Sequence, residues 1–476
     1  MLPLASQWRP MRGTRLFHRL SVSVRAPASD RVRGVTCCGL IIGGSVTSLR
    51  VEREFMRARQ FCLVALLAIG LSACGSSADR VPSDSSSKGP AENGRPERVP
   101  HDPPESFAAR GAVALPPEAT AGRTNLLGDV RDLAVALHRT SAYVASADRM
   151  QTVDLTTGKV VAVTRPRAEA LGEDDDATPP LVSADGSLVV TPFVTRQPGA
   201  GTQSPSMELE VVATMPETGR TAWSTSLKIP QAWAQRDNST PEAHVVGFAG
   251  GNVIVTVYTG YNAATAGIDI ATHQVRWTAQ NIRTRAVTAE AAVGVDILGG
   301  FGPDQLVGAD PATGKEKWRT EKNIGDTTVE SAGPSLVRVR GYAGDGGTRF
   351  DQLLKPGTGK VQADVPEGLD NLSCPFDQAK TLVCTSQNRL VALDSTSGKE
   401  LWRLEDDQAD GRFAPDVTAS WHGRIYAQTS STTAVALDAR TGKDRPAGLD
   451  VAPVLVNEYQ GLVLVGRELL AYPTRG

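Results

Sequence analysis

"VALDSTSGKELW", Val391–Trp402, holds the parts of a tight β-hairpin: an apolar run, an aspartate, a Ser-Gly pair and a tryptophan four residues past the glycine. Val391–Leu393 can form a strand, and Asp394 can accept backbone N–H groups of the turn as Asx-turn residues do. Gly398 supplies the positive φ of a three- to five-residue hairpin loop, where a Cβ would be strained. Trp402 then stands on the next strand with roughly 150 Å² or more of ring surface to bury.

The stretch recurs. "VGADPATGKEKW" (Val307–Trp318), "AGIDIATHQVRW" (Ala266–Trp277) and "VALDARTGK" (Val435–Lys443) are close copies, and "QTVDLTTGK" (Gln151–Lys159), "VATMPETGRTAW" (Val212–Trp223) and "QLLKPGTGK" (Gln352–Lys360) are fainter ones. They align at Gly158, Gly219, His273, Gly314, Gly359, Gly398 and Gly442, always after a Thr or Ser. Intervals of about forty to sixty residues suit one four-stranded propeller blade each. The repeated aspartates are Asp154, Asp269, Asp310, Asp394 and Asp438, and the tryptophans at the shared offset are Trp223, Trp277, Trp318 and Trp402. Those tryptophans are expected to dock blade on blade, and Trp233, outside the register, to matter less.

Between copies lie short β-like runs, three before each turn and one after it. The last segment, Pro453–Gly476, offers three strands and stops, so its fourth is expected from "ARGAVALPP" at Ala109–Pro117. Such sharing closes a ring and removes exposed sheet edges. The expectation is an all-β propeller over residues 107–476, of four-stranded antiparallel blades, eight in number with seven as the alternative.

Upstream, an apolar run Phe61–Leu71 follows Arg57 and Arg59 and leads into Leu71-Ser72-Ala73-Cys74. A basic start, an apolar run of about eleven residues and a small-residue end make an export signal, too short for a span. Residues 56–73 are therefore read as a signal peptide and 74–106, rich in Ser, Pro, Gly and Asp, as a disordered tether. Residues 1–55 would then be an extension ahead of the working start at Met56, mis-assigned or disordered. The Cys74 stretch is similar to the lipobox of bacterial lipoproteins, which implies lipidation at Cys74 and anchoring to the outer face of the cell membrane.

Composition is consistent with this. The 40% apolar content supports a large core, while 46 glycines and 5% aromatics suit a turn-rich β protein. Fifty basic against 52 acidic residues leave no footprint for nucleic acid. Of the six cysteines only Cys374 and Cys384 lie beyond the signal and lipid site. In an exported chain they are expected to pair, across a short turn near Asp377–Lys380.

The pattern of small or apolar residue, Asp, two residues, Thr-Gly, three residues and Trp resembles the tryptophan-docking motif of pyrroloquinoline-quinone-type propellers. That group includes quinoprotein alcohol dehydrogenases and the propeller lipoprotein of the outer-membrane β-barrel assembly machinery. The resemblance implies a docking role for Asp269, Asp310, Asp394, Asp438, Gly314, Gly398, Gly442 and the four tryptophans. It separates enzymes from scaffolds only through sites, because one fold hosts both. The adjacent cysteines that cover the quinone in the enzymes have a counterpart only at Cys37-Cys38, ahead of the signal, and there is no Cys-x-x-Cys-His haem site. The acidic run Glu173-Asp174-Asp175-Asp176 lacks the ligand spacing of a calcium loop. His138, His244, His273 and His422 are isolated and read as surface or turn residues. No catalytic, cofactor or metal residue is assigned. The expected function is a membrane-anchored, non-catalytic scaffold that binds proteins or other macromolecules at its rim or central funnel. A propeller sensing a small molecule or glycan and a diverged quinone-dependent oxidoreductase are the alternatives.

Overall fold

In four of the repeats the first hairpin is bonded to its motif turn. Leu155 N–H donates to Thr140 O at 2.9 Å, Ile270 to Gly251 at 3.0 Å, Ser395 to Lys380 at 3.0 Å and Ala439 to Gly423 at 2.9 Å. The computed structural model describes residues 98–475, apart from 122–132, 173–176, 234–239, 298–303, 321–323, 344–346, 367–368, 370–372, 387–388, 406–410, 430–432 and 446–447. The expectations for residues 1–73, Cys74, most of the tether and the 173–176 run lie outside these residues.

Eight antiparallel sheets follow one another along the chain, an eight-bladed propeller. Blade 3 shows the plan: Glu242–Ala249, Asn252–Tyr258, Ala263–Asp269 and Val275–Gln280 pair in sequence order. The other blades span 135–164, 169–229, 282–319, 324–364, 381–405, 416–438 and 455–475. Blades 6 and 7 show three regular strands, with single bridges Phe376–Leu382 and Leu437–Asp444 where a fourth would run. In blade 8 the outer partner of Glu468–Arg475 is the start of the domain: Ser106–Phe107 pairs with Thr474 and Arg475, and Val113–Ala114 with Leu470 and Ala471. The ring is closed by the N-terminal chain.

The folded chain begins earlier than 107. Residues 98–106, assigned by composition to the tether, are held by the propeller. Arg98 donates to Leu155 O at 3.1 Å, His101 N–H to Glu458 O at 2.7 Å and Tyr426 OH to Pro104 O at 2.8 Å. The Asp102 carboxylate accepts from Trp421 Nε1 at 3.0 Å and pairs with His422. Polar residues without apolar anchors read as linker, yet here backbone groups, the Arg98 guanidinium and one carboxylate supply the attachment.

All seven motif turns close with the same bond, from the N–H of the glycine-position residue to the carbonyl four residues back, at 2.8 Å. His273 takes the glycine's place with φ 61°, and its ring stacks on Trp223 at 5.3 Å. Asp Oδ1 accepts two further turn N–H groups in blades 3, 4, 6 and 7. Arg440, from the next blade, and then the turn N–H groups hold the Asp394 carboxyl below the usual carboxylate range.

Each outer-strand tryptophan lies on the turn of the following blade. Trp277 Nε1 donates to Pro311 O at 3.2 Å, Trp318 to Pro356 O at 2.7 Å and Trp402 to Ala439 O at 2.9 Å. A Cβ added to Gly314, Gly359 or Gly442 would stand 2.5, 2.5 or 2.6 Å from those rings. On its own sheet each tryptophan faces a small residue: Ala213 opposite Trp223, Gly267 opposite Trp277, Gly308 opposite Trp318 and Ala392 opposite Trp402. Where the docking position is alanine the sizes are exchanged. Ala162 faces Thr152 and Ala363 faces Leu353, and Gly398 of the next turn lies against Ala363 and Leu353. At the ring closure Val113 stands in this position against Gly158. Conserved volume with exchanged partners keeps the interface near interior packing density.

Trp233, outside the register, is 6% exposed and sits in the core shared by blades 2 and 3, whereas Trp318 and Trp402 are only partly buried. Register thus marks docking, not burial.

Two predictions follow from this geometry. Gly442→Ala should cost roughly 2–4 kcal/mol in urea unfolding, combining left-handed strain with overpacking on Trp402. Gly466→Ala, also at positive φ but with nothing within 4 Å of the added Cβ, should cost only about 1 kcal/mol. The depressed Asp394 carboxyl contributes stability that is present above about pH 4 and lost as pH falls through its folded value. The urea midpoint should therefore drop on acidification from about pH 5 to pH 3, and drop less in Asp394→Asn.

Candidate functional site

Two features remain once the docking residues are set aside. The first lies between blades 3 and 4, at the end of the propeller opposite the motif turns. Glu242 and His244 are two apart on the first strand of blade 3 and share a side of it, and Arg283 and Arg285 stand on the first strand of blade 4, Arg285 at its bulge. Tyr258 joins them: its hydroxyl donates to Glu242 Oε2 at 2.7 Å and lies 3.0 Å from His244 Nε2. Arg285 Nη1 donates to the same hydroxyl at 3.4 Å, and the Arg283 guanidinium stands 4.9 Å above the ring. Burial, with Glu242 adding to it, pushes the Tyr258 phenol up to about 12. Burial and then Arg285 lower Arg283, and burial raises the neighbouring Asp304. A phenol held neutral between a carboxylate and guanidinium groups is a hydrogen-bonding and cation–π surface. It has no activated nucleophile.

The second feature is a groove of about 690 Å³ between blades 4 and 5, lined by Leu306, Trp318, Ile324, Phe350 and Leu354 with Arg319 at its edge. Arg349 and polar side chains such as Gln352 line it as well, and a mixed apolar and cationic lining suits a side chain or short segment of a partner.

The residues singled out from sequence fall elsewhere. Trp223, Trp277, Trp318 and Trp402 are at blade interfaces; Asp269, Asp310, Asp394 and Asp438 are inside turns; Gly314 and Gly442 lie against the tryptophan of the preceding blade, and Gly398 against Ala363 and Leu353. Cys374 and Cys384 form a disulfide in blade 6, beside the turn where Asp377 Oδ1 accepts from Ala379, Lys380 and Thr381. His244, read as isolated, is the histidine of the Tyr258 cluster. Its partners are distant in sequence, and the E-A-H alternation was the one local signal that a like-facing polar pair was present.

Cys37 and Cys38 lie outside the described residues, the Cys374–Cys384 pair is ten residues apart, and no group of three or more His, Cys, Asp or Glu among the described residues is placed to hold a metal ion.

The family model described as outer membrane protein assembly factor BamB matches residues 345–446. Quinohemoprotein alcohol dehydrogenase ADH IIB of Pseudomonas putida is 31% identical over 175 residues, covering 31% of this chain and 24% of that enzyme, so the chain spans about a quarter of that relative. Among solved structures, BamB from Moraxella catarrhalis aligns over 78% of this chain and 98% of its own, with 15% identity and a TM-score of 0.39. The Dos1 propeller aligns over 74% and 81%, with 13% identity and a TM-score of 0.34. The chain is an eight-bladed propeller whose docking repeats resemble those of pyrroloquinoline-quinone-type propellers, and its residues 345–446 are similar to the outer membrane protein assembly factor BamB.

Proposed function

We propose that this chain is an exported, lipid-anchored propeller that acts as a non-catalytic scaffold for a protein partner. The observation that carries the reading is how the side chains are used. The repeated Asp, Gly and Trp are consumed in holding blades together, and what is left over is a groove with apolar walls and a polar cluster of Glu242, His244, Arg283 and the exposed Arg285 around the buried Tyr258. The BamB-described match over residues 345–446 supports a scaffold. The dehydrogenase match covers too little of that enzyme to bring its chemistry along. Anchoring rests on the Leu71–Cys74 stretch, where a diacylated cysteine would supply two chains at about 0.8 kcal/mol per buried methylene.

Cys74→Ala should move the protein from the membrane to the soluble fraction; recovery of the variant in membranes after a high-salt wash would contradict lipidation. For the scaffold itself, a photo-crosslinking residue placed at Phe350 should give one reproducible protein adduct in membranes. The purified chain supplied with pyrroloquinoline quinone and calcium should reduce no dye with alcohols or sugars. Quinone-dependent turnover would establish an oxidoreductase instead.

A further inference from the structure

Residues 98–107 form a strap across blades 7 and 8 that stands in for a motif turn. In blade 1 the third residue of the second strand, Tyr143, donates its hydroxyl to Pro216 O of the blade 2 turn at 3.1 Å. In blade 3 the first residue of the second strand, Asn252, donates to Pro311 O and Ala312 O of the blade 4 turn at 2.8 and 3.2 Å. Blade 7 makes both contacts on the strap: Tyr426, third on its strand, donates to Pro104 O at 2.8 Å, and Arg424, first on its strand, to Glu105 O at 3.0 Å. Pro104-Glu105-Ser106 therefore lies where Pro216-Glu217-Thr218 and Pro311-Ala312-Thr313 lie in their blades. Phe107 follows, fully buried against Gly461 and 5.6 Å from the Tyr426 ring.

The seven motif turns each connect consecutive strands of one blade, whereas the strap is joined to the ring through a turn of its own. Ala109, Arg110 and Gly111 are exposed, Gly111 has φ 87°, and nothing stands within 4 Å of a Cβ added there. Beyond this turn Val113–Ala114 makes a separate pairing with Leu470 and Ala471. The strap can thus leave while the N-terminal chain still closes the ring.

The strap also takes an acceptor that another residue is placed to use. Leu155 follows Asp154 in the blade 1 turn as Pro311 follows Asp310 in the blade 4 turn, and Gln460 opens the second strand of blade 8 after a two-residue hairpin as Asn252 does in blade 3. The period of two puts Gln460 on the same side of its strand as Leu462, which packs in one cluster with Leu155. The Leu155 carbonyl nevertheless accepts from Arg98 of the strap, at 3.1 Å. Gln460 is fully buried, and neither polar atom of its side chain has a hydrogen-bond partner among the described residues. An orphaned buried amide costs free energy that a rearrangement giving it a partner recovers.

We propose that the strap is a latch: it swings out as a unit about Ala109–Gly111, and Gln460 takes the Leu155 carbonyl that Arg98 gives up. The closed form is the resting one, held by buried Phe107, by the Pro104 carbonyl and by Asp102 on Trp421 and His422. Opening uncovers the Tyr426 ring and the sheet edge at Thr474 and Arg475, which Ser106–Phe107 covers when closed.

Amide hydrogen exchange in the full chain tests the latch. The N–H groups of His101, Glu105 and Ala108, bonded to Glu458 O, Arg475 O and Pro473 O, should exchange together and at least about a hundredfold faster than those of Val253–Val257 in blade 3, because a sub-global opening costs less than unfolding. Ser106→Cys with Arg475→Cys, opposite one another in the strand pair, should lock the strap and bring its exchange down to that of blade 3. Gln460→Met keeps the buried bulk but has no amide, so it should slow strap exchange about tenfold in the unlocked chain. Tenfold is ~1.4 kcal/mol, within the cost of one unpartnered buried group. Strap amides that exchange no faster than blade 3, fast exchange that persists in the locked form, or a strap rate unmoved by Gln460→Met would each overturn the proposal.

Discussion

A tryptophan ring laid across the turn of the next blade is the contact on which this propeller depends. The ring can lie there only because three conditions meet at one point: a left-handed residue in the neighbouring turn, a small residue opposite on its own sheet, and a carbonyl within reach of the indole N–H. Trp277, Trp318 and Trp402 satisfy all three. The contact couples blades that are otherwise separate antiparallel sheets, and coupling around a closed ring leaves no blade with an unsupported face.

The interface is specified by volume as much as by residue type. Thr152 and Leu353 fill from the third strand what tryptophan fills from the fourth in other blades, and Val113 does so at the closure. His273 shows a further substitution: the left-handed position is kept without glycine, and the imidazole becomes part of the dock by stacking on Trp223.

Much of this was legible in the sequence, because the repeat places its chemistry locally. The Asp-x-x-Thr-Gly turn, the tryptophan offset and the three-before, one-after strand count are all short-range, and together they lead to eight blades with a shared last one. The alanine docks at Ala162 and Ala363 were not legible, since only the cross-strand partner reveals them. Nor was the strap at 98–106, whose attachment runs through backbone groups and through Arg98 and Asp102, which no local pattern marks. The Tyr258 cluster joins three strands of two blades, so no local spacing marks it. The propeller thus separates its tasks by position: turns and outer strands hold the ring, and the end opposite the motif turns carries the polar cluster.

The central claim is that blade docking is a volume match between the fourth-strand position, its cross-strand partner and the next turn. A double-mutant cycle in blade 5 tests it directly, using Ala363→Trp, Leu353→Gly and the two combined, with unfolding free energy measured in urea. Ala363→Trp alone should be destabilising because Leu353 and Gly398 already fill the site, and Leu353→Gly alone should leave a cavity. The combination should rebuild the Gly308–Trp318 arrangement of blade 4 and recover at least about 1 kcal/mol of the summed loss. Losses that simply add would contradict the account.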